Sequence, residues 1–115
     1  LKEVLGHLTD AERVFGYRAF CVGRGESKPL PGFDEDAYVA AARFDARPLA
    51  SLLSEFVLVR QANLALFDAM DEGAWARIGN ANSVQVKACA FPYFCAGHAA
   101  HHLGVLRERY LTTLR

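Results

Sequence analysis

Three of the four histidines of this 115-residue chain fall within five positions, in Gly97-His98-Ala99-Ala100-His101-His102-Leu103-Gly104. On a helix, His98 and His102 stand one turn apart on the same face and can aim two imidazoles at one point. Two imidazoles alone make a poor metal site. The fourth histidine, His7, lies at the other end of the chain, within a second amphipathic stretch and on the stripe that should face the core. His7, His98 and His102 would together supply three neutral nitrogen donors for a divalent cation held between helices. His101 is the rival partner for an ion, and its position suits the flank of the site. Cys95, three residues before His98, has the spacing of a ligand, although a small buried thiol is the commoner fate of such a cysteine.

These residues need helices to position them. Val4, His7, Leu8, Ala11, Val14, Phe15 and Arg18 follow the three-and-four spacing of an amphipathic helix from Leu1 to about Val22, with Lys2, Glu3, Glu12 and Arg13 covering other faces. Asp10, one turn after His7, is either an exposed carboxylate or an acceptor that fixes an imidazole's tautomer. Gly23, Gly25, Pro29, Pro31 and Gly32 break the helix and predict an ordered loop, with Leu30 and Phe33 packing down and the loop forming one wall of a pocket. Asp34 caps a short helix through Phe44. Pro48 opens a long helix to about Met70 in which Leu49, Leu52, Leu53, Phe56, Arg60, Asn63, Leu64 and Phe67 lie close to one face. Arg60 interrupts that apolar stripe. It either offers its planar fork to an anionic substrate group or lays its stem on the core and reaches water.

Asp71 to Arg77 reads as a short helical turn pinned by Trp75, and Gly79 to Ser83 as a turn. Ser83 is placed to cap a last helix from Val84 to about Leu114, along which Phe91, Cys95, His98, His102, Val105 and Arg109 fall near one line. Pro92 implies a kink in that helix or a late start to it.

Composition limits what such a site can serve. The chain is long enough for one domain over residues 1–115 with a single sizeable core. It is 52% hydrophobic and 23% charged, with 13 basic and 13 acidic side chains. That balance leaves no basic surplus for a nucleic acid backbone. No continuous apolar run has the length of a membrane span, and no signal-peptide pattern opens the chain. Cys21, Cys89 and Cys95 are odd in number and form no C-x-x-C, consistent with buried free thiols in a reducing cytoplasm.

Val4-Leu5-Gly6-His7-Leu8-Thr9-Asp10-Ala11-Glu12, Leu30-Pro31-Gly32-Phe33-Asp34, and Ala96-Gly97-His98 followed by His101-His102-Leu103 resemble the DinB-like superfamily, especially its YfiT-like members. The resemblance covers almost the whole chain. It implies an all-α four-helix bundle in which three histidines on two helices bind a divalent cation, and that pattern falls on His7, His98 and His102. Three departures stand out: the family's first helix has no counterpart in the given chain, Ala99 replaces a glutamate often found after the first histidine of the pair, and Pro92 is unusual. Apolar faces left bare by the absent helix would be covered by a preceding segment or by a second subunit in a homodimer.

Three histidines leave coordination positions open, which separates a working site from a closed structural one. Zinc and nickel suit the donor set best, and manganese or iron is also compatible. The resemblance adds a metal-dependent hydrolase or a transferase of a low-molecular-weight thiol, acting on a small molecule. His98-Ala99-Ala100-His101-His102 lacks the glutamate of an H-E-x-x-H zincin, so a metalloprotease is rejected. Asp10, Arg60 and His101 are the candidates for auxiliary catalytic roles. The competing expectations are a non-catalytic, stress-associated bundle that binds a metal or small ligand, and a bundle whose histidines are only core residues.

Overall fold

In the computed structural model, which describes residues 1–112, the chain folds around one helix that every other layer uses as its support. Helix α1 spans Lys2–Gly23. It buries Leu5, Leu8, Ala11, Ala19 and Val22, in keeping with the amphipathic spacing, and also Glu12 and Arg18. Two further long helices flank it: α3 over Leu49–Ala69 and α5 over Ala90–Leu106. Between α1 and α3 come α2, Glu35–Ala42, and a single 3-10 turn, Phe44–Ala46. Helix α4 covers Glu72–Ala76, and strands β1, Ile78–Ala81, and β2, Val84–Lys87, form an antiparallel hairpin.

The contacts give the helix directions. Leu5 packs with Leu52, the Glu12 carboxylate takes Arg60, and Gly23 faces Met70, so α3 runs parallel to α1. His7 meets His98, Phe15 meets Phe94, and Val22 shares a cluster with Phe91, so α5 runs antiparallel to it. Parallel neighbours need a crossover. The segment between Gly23 and Leu49, with α2 inside it, carries the chain back along the length of α1.

Two apolar clusters hold this arrangement. One joins Ala19, Val22, Leu30, Met70, Ala74, Ala81, Ala88 and Phe91, with Phe67 and Trp75 packed against it. The other joins Leu5, Phe44 and Leu52. The ring of Phe44 lies where a Cβ on Gly6 would stand, so the absence of a side chain on Gly6 is what seats it. Leu52 is 1% exposed, and truncating such a residue to alanine costs about 2–5 kcal/mol.

The all-α expectation holds for the helices, with corrections at their ends. Residues 84–87 form a strand and not the start of the last helix: Asn82 and Ser83 both have positive φ, 53° and 63°, the backbone of a two-residue hairpin turn. Ser83 therefore turns a hairpin and does not cap a helix. Alternating Val84 and Val86 carried that signal. The last helix begins at Ala90, which makes Pro92 its third residue, where a missing N–H breaks no helical bond. This is the late start rather than the kink. A π-helical turn over Arg107–Leu111 follows, and Leu114 lies outside the described residues. Helix α2 stops at Ala42, not Phe44, because Arg43 adopts a left-handed conformation. The Asp34 cap is present, its carboxylate accepting from the Ala37 N–H.

Helix α3 is long and apolar enough, by length and composition, to cross a membrane, with a mean hydropathy of 1.3 over its best window. Its stripe is narrower than the spacing implied: Leu52, Phe56, Asn63 and Phe67 face α1, whereas Leu49, Leu53 and Leu64 are exposed. Charges tie its middle to α1. Glu55 pairs with Arg13, and Arg60 with Glu12.

Candidate metal centre

His7 projects from the second turn of α1, and His98 and His102 project from successive turns of α5. The antiparallel packing of the two helices brings the three together, although 91 positions separate His7 from His98. The Nε2 atoms of His7 and His98 stand 3.0 Å apart, and those of His98 and His102 3.2 Å apart. All three donor atoms lie within 4.8 Å of one another. Metal–nitrogen bonds of about 2.0–2.1 Å place neighbouring donors roughly 2.9–3.4 Å apart at octahedral or tetrahedral angles. The His7–His98 and His98–His102 separations fall in that range, and with the remaining pair within 4.8 Å the group could hold a metal ion. Neutral imidazoles facing each other through Nε2 have only one proton position between each pair, so a bound ion would satisfy lone pairs that the protein alone leaves crowded.

Electrostatics favour the unprotonated form of two of these donors, His98 and His102. Burial, with the neighbouring histidines His102, His7 and His101 adding to it, lowers the pKa of His98 to about 4. Burial likewise lowers that of His102, assisted by His7 and His101 and opposed by the Glu35 carboxylate of α2. Metal ligation needs neutral imidazole, so little proton competition remains at neutral pH at these two donors. The Nδ1 of His102 is buried without a partner among the described residues.

A family model of the DinB superfamily matches residues 1–106. The chain belongs to the DinB superfamily. No curated protein and no solved structure matches it.

In this DinB-superfamily chain the other residues singled out from the sequence divide clearly. His101 flanks the trio, exposed, with its ring 5.1 Å from that of His102. Cys95 is outside the group of convergent donors. Burial pushes its thiol up to about 12, and the nearby Glu12 carboxylate adds to the rise, so it stays protonated and a poor ligand. Cys89 is exposed, against the expectation that all three thiols are buried. Asp10 makes no hydrogen bond to an imidazole among the described residues. Burial raises its pKa above the ordinary aspartate value, with Glu55 adding and with Arg13 and His7 opposing.

Arg60 is partly exposed, and both its Nε and Nη2 donate to the Glu12 carboxylate. Glu12 is the residue the sequence reading misplaced. It is 3% exposed, not on an outer face, and its charge also reaches His98 and Cys95. Glu12 and Arg60 are complementary in charge, but nothing in the local pattern pairs them across 48 positions. Asn63 completes the contact by donating to the Glu12 carbonyl, and it fills the space a side chain at Gly16 would need.

Proposed function

We propose that the protein binds one divalent metal ion through His7, His98 and His102 and uses its open positions to activate a small nucleophile, as a hydrolase or as a transferase of a low-molecular-weight thiol. The observation that carries this reading is that His7, His98 and His102, on two helices, each offer a donor atom and the three atoms lie within 4.8 Å of one another. When bound, such an ion supplies a Lewis acid that draws the proton off water or a thiol near neutral pH. Zinc or nickel suits three imidazoles best.

The chain's own groups have assignable parts in this reading. Asp10, with its raised pKa, is the candidate proton acceptor beside His7. His101 is the candidate to carry a proton between the site and solvent. Arg60 acts through Glu12, whose negative charge acts on His98. Phe15, Tyr93, Phe94, Gly97 and His98 border an open hollow of about 430 Å³, the approach available to a small-molecule substrate.

Elemental analysis of untagged protein tests the reading. Near-stoichiometric zinc or nickel in the parent, lost in folded His7→Ala and His102→Ala variants, supports it and directs the search to ester, amide and thiol-transfer substrates. A parent that takes up no metal after incubation with zinc, nickel and manganese refutes it. Stoichiometric metal with no turnover of any of these substrates would leave the competing reading, a metal-binding bundle without catalysis.

A further inference from the structure

Arg18 of α1 has no task in the metal reading and, unlike Arg13, no carboxylate partner among the described residues. It is 8% exposed, on the inner side of the helix, and its one hydrogen bond among the described residues runs from Nη2 to the carbonyl of Pro31, 2.9 Å away. The remainder of its five-donor fork has no partner among the described residues, and no carboxylate there pairs with it. A buried cation without a counter-charge is costly, and buried charges are ordinarily paired. Burial alone lowers its pKa, with no carboxylate offsetting it. Yet its free N–H groups are not sealed in, since His102 Nδ1 is the only buried side-chain polar atom without a partner among the described residues. They open on space.

Two cavities meet at this residue. The larger, about 280 Å³, is walled by Phe15, Val86, Phe91 and Phe94, with Asn82 and Gln85 at its rim. Phe15 and Phe94 also border the hollow at His98, and the Phe15 and His98 rings are 5.9 Å apart. One cation at one end of an aromatic-walled cavity is a recognition pattern for an amphiphilic anion. The second nearby cation, Arg13, is already held by Glu55, which leaves a single positive charge and favours a monoanion over a phosphate.

We propose that Arg18 anchors the carboxylate of a small organic acid whose apolar body lies against Phe15, Phe91 and Phe94. The site does not depend on a metal. Only its meaning as a substrate site rests on the proposed function, because the far end of such an acid would point along Phe15 and Phe94 toward His98.

Isothermal titration calorimetry of the full chain, stripped with chelator, tests the site with 4-phenylbutyrate and its neutral amide. Saturable binding of the acid, at least tenfold weaker for the amide, is the expected result. Arg18→Met should weaken acid binding tenfold or more, and Arg18→Lys should restore part of it. Val86→Trp, which puts bulk into the cavity at a position other than Arg18, should also weaken it. Equal binding of acid and amide, binding indifferent to Arg18→Met, or binding that appears only when metal is restored would each overturn the proposal. Absence of saturable binding by the folded parent would do the same. Metal content is measured separately, so loss of this site leaves the histidine reading standing, and the converse.

Discussion

Arg60 donates through two nitrogens to the carboxylate of Glu12, one turn and a half along α1 from His7, and this pair joins the middles of α1 and α3. Glu12 is buried, and Arg60 is its ion-pair partner. Arg60→Met should destabilise the fold by about 3 kcal/mol, since removal of one member leaves an uncompensated buried charge. Adding Glu12→Gln should recover a good part of the loss. Urea unfolding of the parent, the two single variants and the double variant measures the coupling, and additive losses would contradict it.

The histidines set a pH dependence. The folded pKa of His98, about 4, lies below its ordinary value of 6.5. Between those values the unfolded chain binds more protons than the folded one, so stability is retained above about 6.5 and is lost as pH falls toward 4. The lowered pKa of His102 acts in the same direction. Metal-free protein should show a urea midpoint that declines across this window, and His98→Gln should flatten the decline. A midpoint that rises on acidification would reverse the sign of the argument.

Saturation with zinc should raise the melting temperature by several degrees, because an ion bound only by the folded state adds about 2.7 kcal/mol at a hundredfold excess over Kd. His98→Ala should remove the shift, as the Nε2 of His98 sits close to both other donors. His101→Ala should keep it. Differential scanning calorimetry with and without chelator distinguishes the two variants.

The hairpin turn carries removable strain. Ser83 sits at a φ of 63°, where a side chain costs on the order of 1 kcal/mol that glycine avoids. Ser83→Gly, which makes the turn Asn-Gly, should stabilise the protein by about 0.5–1 kcal/mol in equilibrium unfolding.

Thiol reactivity should follow environment and not count. Exposed Cys89 should alkylate with iodoacetamide under native conditions, whereas Cys95, 4% exposed and protonated to about pH 12, should resist until the protein unfolds. Mass spectrometry of the peptides reads both sites in one experiment.

What the sequence revealed and what it hid have physical reasons. His7, His98 and His102 were legible because helical period turns a spacing of four into a shared face, and because His7 falls on an apolar stripe. The long helices were legible for the same reason, and the family match over residues 1–106 agrees with the DinB-like resemblance. The hairpin was not, because Val84 to Lys87 is four residues long and reads equally well as the first turn of the helix that follows. Glu12 was hidden because burial of a carboxylate depends on a partner 48 positions away, which local pattern does not report. Arg18 was counted on the inner stripe, but the absence of a carboxylate beside it is a property of the assembled fold.

The long separation between His7 and His98 has a consequence for how the chain comes apart. Any tie between them closes a loop of about 91 residues, nearly the whole polypeptide. In the chain-entropy view a permanent link over such a loop restricts the unfolded ensemble by between 4 and 5 kcal/mol at about 25 °C. A dissociable ion held there would act as a clasp on a ring, fastened after the intervening segments have found their places and first to be released when the ends part. Its signature would lie in the rate of unfolding more than in the rate of folding.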